Sequence, residues 1–193
     1  LSGSGYENKW LYRINKLVAK IEIYRCGSRA SSNILQKLSF ESFNDNFSPT
    51  RTGSDWLSRD ERQVDKYIKD PLCGGAPSTK TWFDFMHGMN QIFDRRNLNL
   101  IDKKVPIHFI SGDKDPVGKN GKGVVKFKNL LLDAGFKQVT LKLYPESRHE
   151  LINDLDRDKA LADAADAAVR GAAAPAKGKG RPHVATVRND TTK

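Results

Sequence analysis

Apolar side chains fall three and four residues apart over residues 8–25, where Trp10, Leu11, Ile14, Leu17, Val18 and Ile21 are separated by lysine and arginine. That spacing predicts an amphipathic helix. A shorter apolar cluster runs from Ile34 to Phe40, and a polar stretch rich in turn formers follows from Asn44 to Ser54. Ser58 with Glu61 three residues later has the form of a capping box, predicting a helix from about Arg59 to Lys69 that Asp70-Pro71 stops. Ser78 caps a further predicted helix, with Trp82, Phe85, Met86, Met89, Ile92 and Phe93 on one apolar face. Residues 8–100 therefore read as helices and loops without a convincing strand.

The pattern changes at Val105. Val105-Pro106-Ile107-His108-Phe109-Ile110 is a short, nearly continuous apolar run, as expected of a strand buried on both faces of a parallel sheet. Val124 to Leu132 returns to helical period and ends at Gly135, and Val139 to Tyr144 alternates as a second strand would. Strand, helix and strand in this order predict a βαβ unit with a right-handed crossover. Leu155 to Arg170 is alanine-rich and favours helix, and residues 171–193 form a basic tail expected to be disordered. Leu1 to Gly5 reads as the end of a buried strand followed by a flexible turn. The sequence is therefore expected to begin inside a domain. The expected division is residues 1–7 as the end of a core strand, 8–100 as a helical region, 101–156 as the core, 157–170 as a terminal helix and 171–193 as the tail.

A chain of 193 residues suits one domain with a packed core. No stretch approaches the roughly 18 apolar residues of a membrane-spanning helix. Two cysteines, Cys26 and Cys73, are too few for a disulfide scaffold or a thiolate zinc site, which favours a reducing, cytoplasmic setting. The net charge of +10 raises nucleic-acid binding as a function class. The charges fall instead in the tail and between the apolar positions of amphipathic helices, without a recognition motif, so no nucleic-acid partner is expected. Peripheral contact with an anionic membrane is the other partner that such a charge suggests. Gly118, Gly121 and Gly123 fit neither phosphate-loop nor dinucleotide spacing, and Asp154 to Asp158 lacks the glycine and final glutamate of a calcium loop. Neither a cofactor nor a metal is expected.

Candidate chemistry collects after the two predicted strands. Ser111-Gly112-Asp113-Lys114-Asp115-Pro116-Val117 follows the first, and Glu146-Ser147-Arg148-His149-Glu150 follows the second. Loops at the carboxyl ends of parallel strands are where open α/β sheets assemble ligands and catalytic groups. An aspartate placed there can fix the tautomer of a histidine, which then acts as general base toward a hydroxyl. Asp113 and Asp115 both offer the carboxylate, and His149 offers the imidazole. His108 alternates within a strand and reads as packed, His87 lies among apolar helix residues, and His183 falls in the tail.

These two loops, with Tyr144, Arg148-His149-Glu150-Leu151-Ile152-Asn153, Asp55-Trp56-Leu57-Ser58-Arg59-Asp60 and Asp70-Pro71-Leu72-Cys73, resemble the α/β-hydrolase fold. The similarity is to its monoacylglycerol lipase, lysophospholipase and serine-aminopeptidase-like branch. The resemblance covers residues 1 to about 156 and implies a carboxyl-terminal part of the fold, with an incomplete parallel sheet and residues 8–100 as a helical cap. It implies Asp115 as the catalytic acid and His149 as the base, with Arg148 and Glu150 bracing the base loop. The activity it implies is cleavage of carboxylic esters, of monoacylglycerol or lysophospholipid type, through an acyl-enzyme. A Gly-x-Ser-x-Gly nucleophile elbow does not occur in the 193 residues, since Ser2 and Tyr6 flank Gly3-Ser4-Gly5. The chain alone is therefore expected to be inactive. The alternatives are a truncated hydrolase fold serving as a binding module and a basic nucleic-acid-binding protein.

Overall fold

The computed structural model describes Tyr6 and residues 9–173. Four helices fill most of the first half: α1 (Lys9–Cys26), α2 (Asn33–Phe40), α3 (Glu61–Lys69) and α4 (Thr79–Ile92). Single 3-10 turns at Glu41–Phe43, Asp45–Phe47 and Asp55–Leu57 lie between α2 and α3. The second half runs α5 (Arg95–Asn99), β1 (Ile107–Gly112), α6 (Lys122–Asp133), β2 (Val139–Tyr144), a 3-10 turn at Leu151–Asn153, and α7 (Arg157–Ala173).

β1 and β2 pair in parallel, with Ile107 opposite Val139 and Gly112 opposite Tyr144. Neighbouring residues of a strand point to opposite faces, and both faces here are covered. Phe109 and Val139 pack with Leu98, Val124, Leu131 and Phe136 from α5, α6 and the turn after it. On the other face Ile110 and Tyr144 pack with Leu151 and with Ala160 of α7. Burial on both sides explains why β1 runs apolar with little alternation, whereas β2 alternates and leaves Thr140 exposed. The helical region packs around Ala19, Leu35 and Trp82. It joins the βαβ unit through Tyr12, Met89 and Phe93, which meet Phe127 and Leu130 of α6. Phe93 stands edge-on to Phe127 with ring centroids 4.8 Å apart.

Several local expectations change. The helix expected from Arg59 starts at Glu61, because Asp60 is its cap and accepts from the Arg62 N–H. The Ser58 hydroxyl is engaged elsewhere, donating to the Asn153 carbonyl at 2.7 Å. Ser78 does cap α4, accepting from the Thr81 N–H. Trp82 and Met89 of α4 and Phe93 just after it are buried while Phe85 and Ile92 are exposed, so the covered stripe is narrower than the apolar face. On α1 the buried residues are Tyr12, Ala19 and Glu22, whereas Trp10, Ile14, Leu17 and Ile21 face outward. Glu22 tolerates the interior because Arg25 and Ser32 hydrogen-bond its carboxylate, holding its pKa at about 2. Helix α7 runs three residues beyond Arg170, to Ala173. The strand end expected at residues 1–7 lies, Tyr6 apart, outside the described residues, as do residues 174–193 of the tail and His183 within them.

Candidate functional site

The register of the sheet brings the two candidate loops out side by side, since Gly112 and Tyr144 are paired at its end. Backbone hydrogen bonds then join them: the Asp113 N–H donates to the Tyr144 carbonyl at 3.0 Å, and the Lys114 N–H to the Ser147 carbonyl at 3.1 Å. Asp113 serves this turn, its Oδ1 accepting the N–H of Glu146, a residue held at φ 60°. That role leaves Asp115 as the carboxylate facing the histidine.

Asp115 is 2% exposed. Its Oδ1 accepts the Val117 N–H at 2.9 Å and lies 3.0 Å from His149 Nδ1. The loop wraps the carboxylate closely, for a Cβ on Gly118 would lie 3.2 Å from Asp115 Oδ2. The His149 side chain keeps 27% of its exposure. An ionised carboxylate only accepts, so the neutral imidazole carries its hydrogen on Nδ1 and leaves the Nε2 lone pair free to take a proton.

His149 is held from the helical region as well. Its backbone N–H donates to the Trp56 carbonyl at 3.4 Å, and the Glu150 N–H to the Leu57 carbonyl at 2.8 Å. The Trp56 ring lies against the imidazole, centroids 5.2 Å apart and planes inclined by 39°. Arg148 turns away from the pair: its guanidinium donates to the Asp55 and Ser58 carbonyls and sits 4.3 Å from the Phe47 ring centre. Burial pushes its pKa below the ordinary arginine value. Glu150 accepts from the Asn153 side chain at 2.8 Å. Arg59 reaches across to Asp154 at 2.7 Å, to Asp156 at 2.7 Å and to the Ser147 hydroxyl at 2.9 Å. The Arg59 hydrogen bond holds the Asp156 carboxyl below the usual carboxylate range.

Of the other histidines, His108 is half-buried with Nδ1 2.7 Å from Thr140 Oγ1, and burial lowers its pKa. His87 is exposed on α4 and accepts from Lys16 at 2.9 Å. Neither approaches the Asp115–His149 pair in any contact of the described residues. Sequence reasoning missed the part played by Trp56 and Arg59. Both lie some ninety positions from the residues they touch, and nothing in local periodicity marks such a contact.

Helices on both faces of a parallel sheet, with a buried aspartate and a histidine on adjoining loops, define an incomplete α/β-hydrolase fold. The chain belongs to the serine aminopeptidase (S33) family, whose model matches residues 9–156. Among solved structures it is similar to a thermostable carboxyl esterase from Bacillus coagulans, at 25% identity and a TM-score of 0.74, over 88% of this chain and 54% of that one. It also resembles a lipase in an open form, at 19% identity and a TM-score of 0.72, covering 88% and 55% of the two chains. A soluble variant of monoglyceride lipase from Saccharomyces cerevisiae matches at 18% identity with a TM-score of 0.53, over 83% and 62%. The last two likenesses concern the fold. The chain thus spans between half and two thirds of the length of these structures. No curated protein sequence matches it.

Proposed function

We propose that the chain carries the acid and base of a serine hydrolase that cleaves carboxylic esters of monoacylglycerol or lysophospholipid type. His149 takes the proton from a serine hydroxyl as that oxygen attacks the ester carbonyl, then delivers it to the departing alcohol. Asp115 keeps Nδ1 protonated and stabilises the imidazolium formed between the two steps. Water repeats the sequence on the acyl-enzyme and releases the acid. The nucleophile and the oxyanion donors come from outside these 193 residues, in which the elbow pentad is absent.

The observation that carries this reading is the 3.0 Å contact between a buried carboxylate and a partly exposed imidazole on adjoining loops. An apolar acyl group is favoured by the aromatic rings next to it. From Trp56, beside His149, ring contacts continue to Phe43 at 4.9 Å and Phe40 at 6.3 Å, and from Phe40 to Trp82 at 5.5 Å.

The test begins with the coding sequence before Leu1, which is expected to contain an in-frame Gly-x-Ser-x-Gly. In the longer protein, nitrophenyl butyrate hydrolysis should fall by about 10⁴ in kcat for His149→Ala and for Asp115→Asn. The 193-residue chain alone should give no turnover. His149→Ala with undiminished activity, or His149-dependent turnover by the chain alone, would contradict the reading.

A further inference from the structure

We propose that Arg59, on the helical region, is the positioning residue that holds His149 against Asp115; the proposal rests on the reading of His149 as the base. The imidazole hangs from a loop whose two preceding residues, Ser147 and Arg148, both join the hydrogen-bond network of one guanidinium, with Ser147 also donating to Asp156 at 3.1 Å and Arg148 to the Asp55 and Ser58 carbonyls. Arg59 Nη2 donates to the Ser147 hydroxyl at 2.9 Å. Arg59 Nε donates to Asp154 Oδ1 at 2.7 Å, and the second oxygen of that carboxylate accepts the Arg148 N–H at 3.0 Å. Ser147 and the Asp154 side chain are fully buried, and the Arg59 side chain is 21% exposed.

Removing the guanidinium takes away the charge partner of the buried Asp154 side chain, and with it the anchor of the oxygen that accepts the Arg148 N–H. A stitch serving α3 and α7 alone would need the contacts to Asp154 and Asp156. The hydrogen bond to Ser147 and the relay to the Arg148 N–H go further, into the base loop itself. Catalytic geometry is sensitive to displacements of about 1 Å, a shift that a released loop readily makes. Lysine substitutes only in part, because one ammonium cannot span three acceptors in the plane of a guanidinium.

The experiment reads the His149 imidazole of the ¹⁵N-labelled 193-residue chain by NMR, at a pH where the ring is neutral. In the wild-type chain the hydrogen resides on Nδ1, bonded to Asp115. Arg59→Met should lower the ratio of Nδ1–H to Nε2–H tautomer by about tenfold, the loss of one such hydrogen bond. Arg59→Lys should lower it to an intermediate value. Arg51→Met, which breaks the exposed pairs of Arg51 with Asp65 and Glu61, is the control and should leave the ratio unchanged. An Arg59→Met chain with native far-UV circular dichroism and a wild-type ratio would overturn the proposal. Should that variant not fold, an Arg59→Lys ratio equal to wild type overturns it.

In the longer protein Arg59→Lys should lower kcat about tenfold with KM unchanged, as expected when orientation alone is lost. Tautomer shifts in a protein whose hydrolysis survives His149→Ala would refute the catalytic reading and leave the positioning intact. An unchanged ratio in a protein whose activity needs His149 would refute the positioning alone.

Discussion

A Cβ at position 112 would lie 2.0 Å from the Ser147 carbonyl oxygen and 2.4 Å from that of Arg148. Both atoms are backbone, so neither can rotate aside. Glycine at the end of β1 therefore sets how closely the loops of Asp115 and His149 approach. Gly112→Ala should destabilise the chain by roughly 3 kcal/mol, the upper range for overpacking, read as a lowered urea midpoint. A midpoint within about 0.5 kcal/mol of wild type would mean that the loops separate without cost. At this scale the sequence was informative about residue type and less so about assignment. Residue chemistry alone leaves Asp113 and Asp115 equal; the family resemblance pointed to Asp115, and in the structure Asp113 instead accepts a hydrogen bond from Glu146 across the strand ends.

Helix α1 separates what periodicity reveals from what it conceals. Its existence was legible in the spacing of apolar residues, and the helix spans Lys9–Cys26. The side that packs was not legible, because Trp10, Ile14, Leu17 and Ile21 lie on the uncovered face while the covered one buries Tyr12, Ala19 and Glu22. Contact is made instead by Ala19, small enough for Trp82 of α4 to come close, and by Tyr12 stacked on Phe93 at 5.8 Å. A transfer-energy view of sequence favours the large residues, whereas close helix packing favours the small one. Ala19→Leu should therefore cost about 1–3 kcal/mol, while Leu17→Ser should stay within about 0.5 kcal/mol of wild type in thermal or urea melts. The reverse order would show that α1 packs through its other stripe. β1 was easier to read, because a strand covered on both faces runs nearly continuously apolar.

Across the whole molecule, two segments about ninety residues apart behave as one structure. Residues 55–59 receive the N–H groups of His149 and Glu150 and the guanidinium of Arg148, and they return Arg59 to Asp154 and Asp156. None of this was legible beforehand, since contacts of such sequence separation leave no period or spacing in either segment. Amide hydrogen exchange should show the N–H groups of Arg148, His149 and Glu150 opening with a common free energy and a common denaturant dependence. Free exchange at Glu150 beside a protected Arg148 would mean that residues 55–59 detach on their own.

The clasp between residues 55–59 and the loop of His149 restricts how this architecture can admit a bulky guest. Any widening that swung Asp55 to Arg59 outward would drag the loop of His149 with it and pull the imidazole off Asp115.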